Sequence, residues 1–132
     1  MNKRFLKVGA FLGILTVVFG AFAAHTIKSR VSVETLAIFE TGVKYQMYHV
    51  FALFLVGMLH KEFPFKSLRW AGNLFLAGII LFSGSLYLLT YFKATGSENM
   101  NWLGAITPFG GICFIVGWIL ILRSFYYTKK SL

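Results

Sequence analysis

Four stretches of this chain contain none of its seventeen charged residues: Val8 to Ile27, Tyr45 to His60, Trp70 to Phe92 and Asn99 to Leu122. At 20, 16, 23 and 24 residues they bracket the roughly 20 that an α-helix needs to cross the hydrocarbon core of a bilayer. With 58% hydrophobic and 13% charged residues over 132 positions, the chain lies outside the composition of soluble domains. The pattern predicts a single transmembrane domain, an all-α integral membrane four-helix bundle, with spans near 6–25, 43–60, 69–91 and 102–122.

The net charge of +9 would point to nucleic acid in a soluble chain, but here the cations sit at span ends rather than along one face. Lys3, Arg4 and Lys7 precede the first span, Lys61, Lys66 and Arg69 lie between the second and third, and Arg123, Lys129 and Lys130 follow the fourth. Lys28, Arg30, Lys44 and Lys93 occupy the opposite side. Nine against four places both termini in the cytoplasm by the positive-inside rule. Anionic lipid headgroups are then the partners of these cations, and no nucleic-acid role is expected.

The second span has an unusual approach. Ser32 stands where an N-cap belongs and Glu34 falls in the first turn, where the helix dipole favours a carboxylate. Glu40 and Lys44 are four apart in the orientation that favours a helical ion pair. One helix from this point to His60 is longer than the membrane, so the second helix is expected to extend outside it as an amphipathic extracytoplasmic segment. Gly42, Gln46, His49, Leu53, Gly57 and His60 share one face, which should meet other helices because lipid offers an amide or imidazole no partner.

Lys3, Arg4, Lys7 and the apolar run ending in Ala21-Phe22-Ala23 resemble a signal peptide. Against cleavage, the run is longer than the usual h-region of about 7 to 15 residues. It also bears a small-residue stripe, Gly9, Gly13, Thr16, Gly20 and Ala24, a packing face that a discarded peptide does not need. The segment is read as a retained span. Pro64 marks a tight hairpin between spans two and three, and Pro108 marks either a kink or a late start of the last helix. Trp70, Tyr87, Tyr91, Trp118, Tyr126 and Tyr127 are read as interfacial anchors. The single cysteine, Cys113, permits no intrachain disulfide and no cysteine-based metal motif.

Counting depth from Leu59 puts His49 roughly 15 Å inside, at the bilayer centre. The same count brings Thr16, Ser83, Ile112 and Cys113 to about that level, and Thr16, His49 and the span-three serines Ser83 and Ser85 make a candidate intramembrane polar layer. His25, Glu40, Lys44 and Tyr45 form a candidate outer layer, with Tyr45 one turn from His49. A neutral histidine bonded to a hydroxyl serves as a helix lock, and an ionisable residue in a span also marks functional sites. A bis-histidine haem needs two imidazoles at one depth, whereas His25 and His49 fall roughly 15 Å apart. No metal or cofactor is implied, and no HExxH, Walker A, GxSxG or EF-hand pattern occurs.

Several blocks occur in order: Gly20-Ala21-Phe22-Ala23-Ala24-His25, Phe39 to His49 (FETGVKYQMYH), Phe82 to Tyr87 (FSGSLY), Ile106 to Gly111 (ITPFGG) and Gly117-Trp118. Together they resemble the YgdD/YwdK family of small bacterial membrane proteins of unknown function. Ala23 departs from that pattern, where glycine is usual. The resemblance implies an uncleaved, multi-span plasma-membrane protein and supplies no catalytic residues. Two functions fit: a non-enzymatic membrane component that packs with itself or with a membrane-protein partner, or a subunit of an oligomeric small-solute transporter or channel.

Overall fold

A computed structural model describes residues 1–63, 65–97 and 99–128. The expected turn at Pro64 and the cations Lys129 and Lys130 lie outside the described residues. The described chain is helical throughout: α1 (Lys3–His25), a short 3-10 turn (Ile27–Ser29), α2 (Val33–Leu59), α3 (Lys66–Gly78), a π-helical turn (Ile79–Ser83), α4 (Gly84–Ala94) and α5 (Leu103–Thr128). The segments α3 to α4 form one continuous rod, in which the Gly84 N–H reaches back five residues to Ile79 O.

The helix ends follow local chemistry. Asn2 caps α1 by accepting from the Arg4 N–H, and Ser32 caps α2 by accepting from the Thr35 N–H at 3.2 Å. Gly96, at φ +77°, and the Ser97 N–H bonded to Phe92 O close α4 in a left-handed turn that only a residue without Cβ adopts freely. α5 begins at Leu103 and runs through Pro108, so the late start is not what the chain does.

α2 packs against α1 and against the α3–α4 rod, and α5 packs along that rod and reaches α2 through side chains. Small residues set how close α1 and α2 come. A Cβ built on Gly9 would lie 3.5 Å from Leu53, one on Gly13 3.6 Å from Val50, and one on Gly20 3.7 Å from Val43. The expected small-residue stripe therefore faces α2, except at its end, where Ala23 is buried and Ala24 is exposed. Glycines on the other helices receive whole rings: Phe5 sits on Gly72, Phe114 on Gly78 and Phe75 on Gly117. Because lipid tails are as apolar as leucine, such close packing and interhelical hydrogen bonds hold the bundle, not hydrophobic transfer.

Three helical stretches, Lys3–Ser29, Lys66–Ala94 and Leu103–Tyr127, are long and apolar enough to cross a membrane by themselves. α2, the remaining expected span, is not apolar enough to be counted on composition alone. α2 has the length, at 27 residues, but Lys44, Gln46 and His49 dilute its apolar run. Its amphipathic first half is also not a free arm. Thr35 and Phe39 are buried, and the α3–α4 rod, at 29 residues, extends beside it.

Candidate functional site

The interior holds polar side chains that are paired between helices. Gln46, 2% exposed, is the main node. Its Nε2 donates to Thr16 Oγ1 at 2.9 Å and to Leu12 O at 3.2 Å, both in α1. Its Oε1 accepts from the Tyr87 hydroxyl of α4 at 2.8 Å. One amide thus ties three helices, and Thr16 completes its own valence by donating to Leu12 O at 2.7 Å. One turn nearer the α2 N-terminus, Ser83 in the π turn donates to Gly42 O at 2.6 Å. This bond requires the backbones to meet, and a Cβ on Gly42 would lie 2.8 Å from the Tyr87 ring. Ser85 and Thr107 share a 2.7 Å hydrogen bond that joins α4 to α5.

His49 sits in a sleeve of aromatic rings. It stacks on Phe114 with centroids 3.4 Å apart and planes 5° from parallel, and Phe75 lies 5.4 Å away. The Trp118 indole N–H donates to Nε2 at 3.2 Å, and Nδ1 lies 2.7 Å from Tyr45 O. An indole can only donate and a carbonyl can only accept, so these partners select the neutral tautomer with its proton on Nδ1. The hydrogen bonds of the imidazole are then satisfied by one residue of its own helix and one of α5.

The expected layers are only partly assembled. Thr16, His49, Ser83 and Ser85 are all buried, yet they belong to four separate links rather than one cluster. Thr16 pairs with Gln46, and His49 bonds to an indole instead of a hydroxyl. Ser83 lies beside Gly42, about two turns from His49 along α2. The outer layer does not form either: His25, Glu40 and Lys44 are exposed, and no ion pair joins Glu40 to Lys44 among the described residues. Glu40 and Lys44 instead border a shallow groove with Gly20 and Ala23. Tyr45 turns toward α5 and packs on Phe82 at 4.5 Å and near His49 at 6.4 Å.

Two residues read as interfacial anchors point inward: Tyr87 to Gln46 and Trp118 to His49. Gln46, Tyr87, Thr107 and Trp118 are the site residues that the sequence reading left out. Register would have found one of them. Since Gly9 meets Leu53 and Gly20 meets Val43, Thr16 falls opposite Gln46. Among the described residues no three His, Cys, Asp or Glu side chains converge as a metal site would require.

Apolar helices with outward residues such as Phe11, Ile14, Ile115 and Leu122, around an interior of paired polar groups, define a small polytopic α-helical membrane protein. Residues 19–111 match the family described as a protein of unknown function, DUF423. The chain is 42% identical over 121 residues to the UPF0382 membrane protein YwdK of Bacillus subtilis, covering 91% of this chain and 94% of that protein. It is 40% identical over 127 residues to SAB0533 of Staphylococcus aureus, covering 96% and 98%, and 37% identical over 122 residues to SH2409 of Staphylococcus haemolyticus, covering 92% and 94%. The chain belongs to this UPF0382 (DUF423) family of membrane proteins. No solved structure matches it.

Proposed function

We propose that this chain is a non-enzymatic packing component of the bacterial plasma membrane, acting through assembly with itself or with another membrane protein. The observation that carries this reading is the state of its interior. The amide of Gln46 and both nitrogens of His49 are engaged by neighbouring helices or backbone, as are the hydroxyls of Thr16, Ser83 and Ser85. Polar groups engaged in this way tie helices together.

α2 crosses as the fourth span in this reading. It pairs with α1 from Gly57 beside Leu6 to Val43 beside Gly20, and it turns Phe51 and Met58 outward. Both termini then face the cytoplasm, as the distribution of lysine and arginine favours. The mass of the complex, measured after crosslinking in native membranes and again after purification in mild detergent, tests the proposal. A discrete assembly of fixed composition is expected. A monomer under both conditions would refute the proposal, and a discrete homo-oligomer that passes solute in proteoliposomes would replace it with the transporter reading.

A further inference from the structure

We propose that the gap between α1 and α4, at the end of the bundle where α1 turns into α2, binds one anionic phospholipid, with an acyl chain in the gap and the phosphate on Arg30. The gap is a cavity of about 420 Å³, within the roughly 300–1,000 Å³ of small-molecule sites. It exists because α1 stops at His25 and the 3-10 turn leads the chain away, while α4 continues to Ala94. Its floor is a trio of rings, with Phe19 and Phe39 each 5.0 Å from Tyr87.

The lining is mostly apolar and holds one charged group, Arg30, with the hydroxyls of Thr26 and Tyr91 also bordering it. The Tyr87 hydroxyl is committed to Gln46, the Thr90 hydroxyl donates to Leu86 O at 2.9 Å, and that of Thr95 donates to Tyr91 O at 3.1 Å. These groups present methyls and ring faces to the cavity rather than donors. Arg30 borders the same cavity, is exposed, and pairs with no acidic group among the described residues. An apolar slot ending at a lone guanidinium suits an apolar chain ending in an anion, and guanidinium binds phosphate oxygens in bidentate fashion.

A bilayer lipid is the occupant of this kind that the protein meets continuously. The cavity is reached from the side: Phe22 and Tyr91 at its lips are half or more exposed on the lipid-facing surface. Arg30 lies just past the end of α1, where a span leaves the hydrocarbon and headgroups begin.

Native mass spectrometry of the detergent-purified protein with phosphatidylglycerol or phosphatidylcholine of identical oleoyl chains tests this. One bound phosphatidylglycerol is expected, preferred by about tenfold, because both lipids offer a phosphate but only phosphatidylcholine adds a quaternary ammonium that cancels its charge and is repelled by the guanidinium. Arg30→Gln should remove the preference, while Arg123→Gln at the other end of the bundle should keep it. Ala94→Phe, which places a ring in the gap from an exposed position, should release both lipids with the circular dichroism unchanged. Equal retention of the two lipids by the native chain, equal loss of preference with Arg123→Gln, or full retention by Ala94→Phe would each overturn the site. Oleate displacing phosphatidylglycerol at equal concentration would overturn the phospholipid assignment in favour of a fatty acid.

Discussion

Replacing Gln46 by Leu removes the one side chain that joins α1, α2 and α4, while nearly preserving volume, so its effect measures hydrogen bonding rather than packing. Interhelical hydrogen bonds in membranes average about 0.6 kcal/mol and reach about 1.7 kcal/mol. Three bonds are lost, but Leu12 O keeps its bond from Thr16, so the loss there is partial. The Tyr87 hydroxyl loses its amide acceptor and is left with only the Ser83 hydroxyl beside it, the more expensive half of a broken bond. The sum is a destabilisation of roughly 1.5–3 kcal/mol. It is read from SDS titration in mixed micelles, followed by far-ultraviolet circular dichroism.

Tyr87→Phe alone should lose about 0.6–1.7 kcal/mol. In the double variant the second change should be nearly free, because Phe leaves no hydroxyl to strand. A Gln46→Leu protein within about 0.5 kcal/mol of the native chain, or losses that simply add in the double variant, would refute the view of Gln46 as a shared node.

His49→Leu and Trp118→Phe should each lose about 0.6–2 kcal/mol in the same titration and be less than additive together, whereas His49→Asn should lie between His49→Leu and the native chain. Additive losses would mean that the indole and the imidazole do not share a bond. Gly110→Ala should lose about 1–3 kcal/mol, because its Cβ would lie 2.8 Å from the Phe82 Cα, where backbone meets backbone. Gly104→Ala, with nothing within 4 Å, should be neutral or gain up to about 1 kcal/mol; equal behaviour of the two would contradict the close approach of the π turn to α5. In a Cys113→Ser background, Ser97→Cys should react with an impermeant maleimide on intact cells and Glu62→Cys only after lysis. The reverse pattern would invert the proposed topology.

Periodicity and charge made most of the helices legible. The charge-free windows located α1, the α3–α4 rod and α5, and Ser32 marked the start of α2 to the residue. The buried face of α2 was also readable, since small and polar residues recur there every three or four positions and Gly42, Gln46, His49, Leu53 and Gly57 are all buried. Which residue faces which was read less well. Depth counted from Leu59 gives a level along the membrane normal but not the neighbour, and the interfacial reading of Tyr87 and Trp118 hid their bonds to Gln46 and His49. Counting instead from the short connection between α2 and α3 sets Phe75 beside His49 and Ser83 beside Gly42, as observed. The π turn had no signal in hydropathy, because Ile79, Ile80, Leu81 and Phe82 are as apolar as the residues of an α-helical span.

The blocks that carry the family resemblance have a common physical meaning in this fold. YQMYH supplies Gln46 and His49, FSGSLY supplies Ser83, Ser85 and Tyr87, and ITPFGG supplies Thr107 and Gly110. Each of these residues contacts a helix other than its own: Gln46 binds α1 and α4, His49 binds α5, Ser83 binds α2, Ser85 and Thr107 bind each other, and Gly110 admits the Phe82 backbone. Apolar side chains between such links can be exchanged for others of similar volume, because lipid and protein interior are equally apolar. A hydrogen bond from Ser83 to the Gly42 carbonyl has no such substitute: it needs a short donor on one helix and a missing Cβ on the other. A motif made of links of this kind encodes one arrangement of helices, and the surface that arrangement presents to lipid and partners is where its function has to be sought.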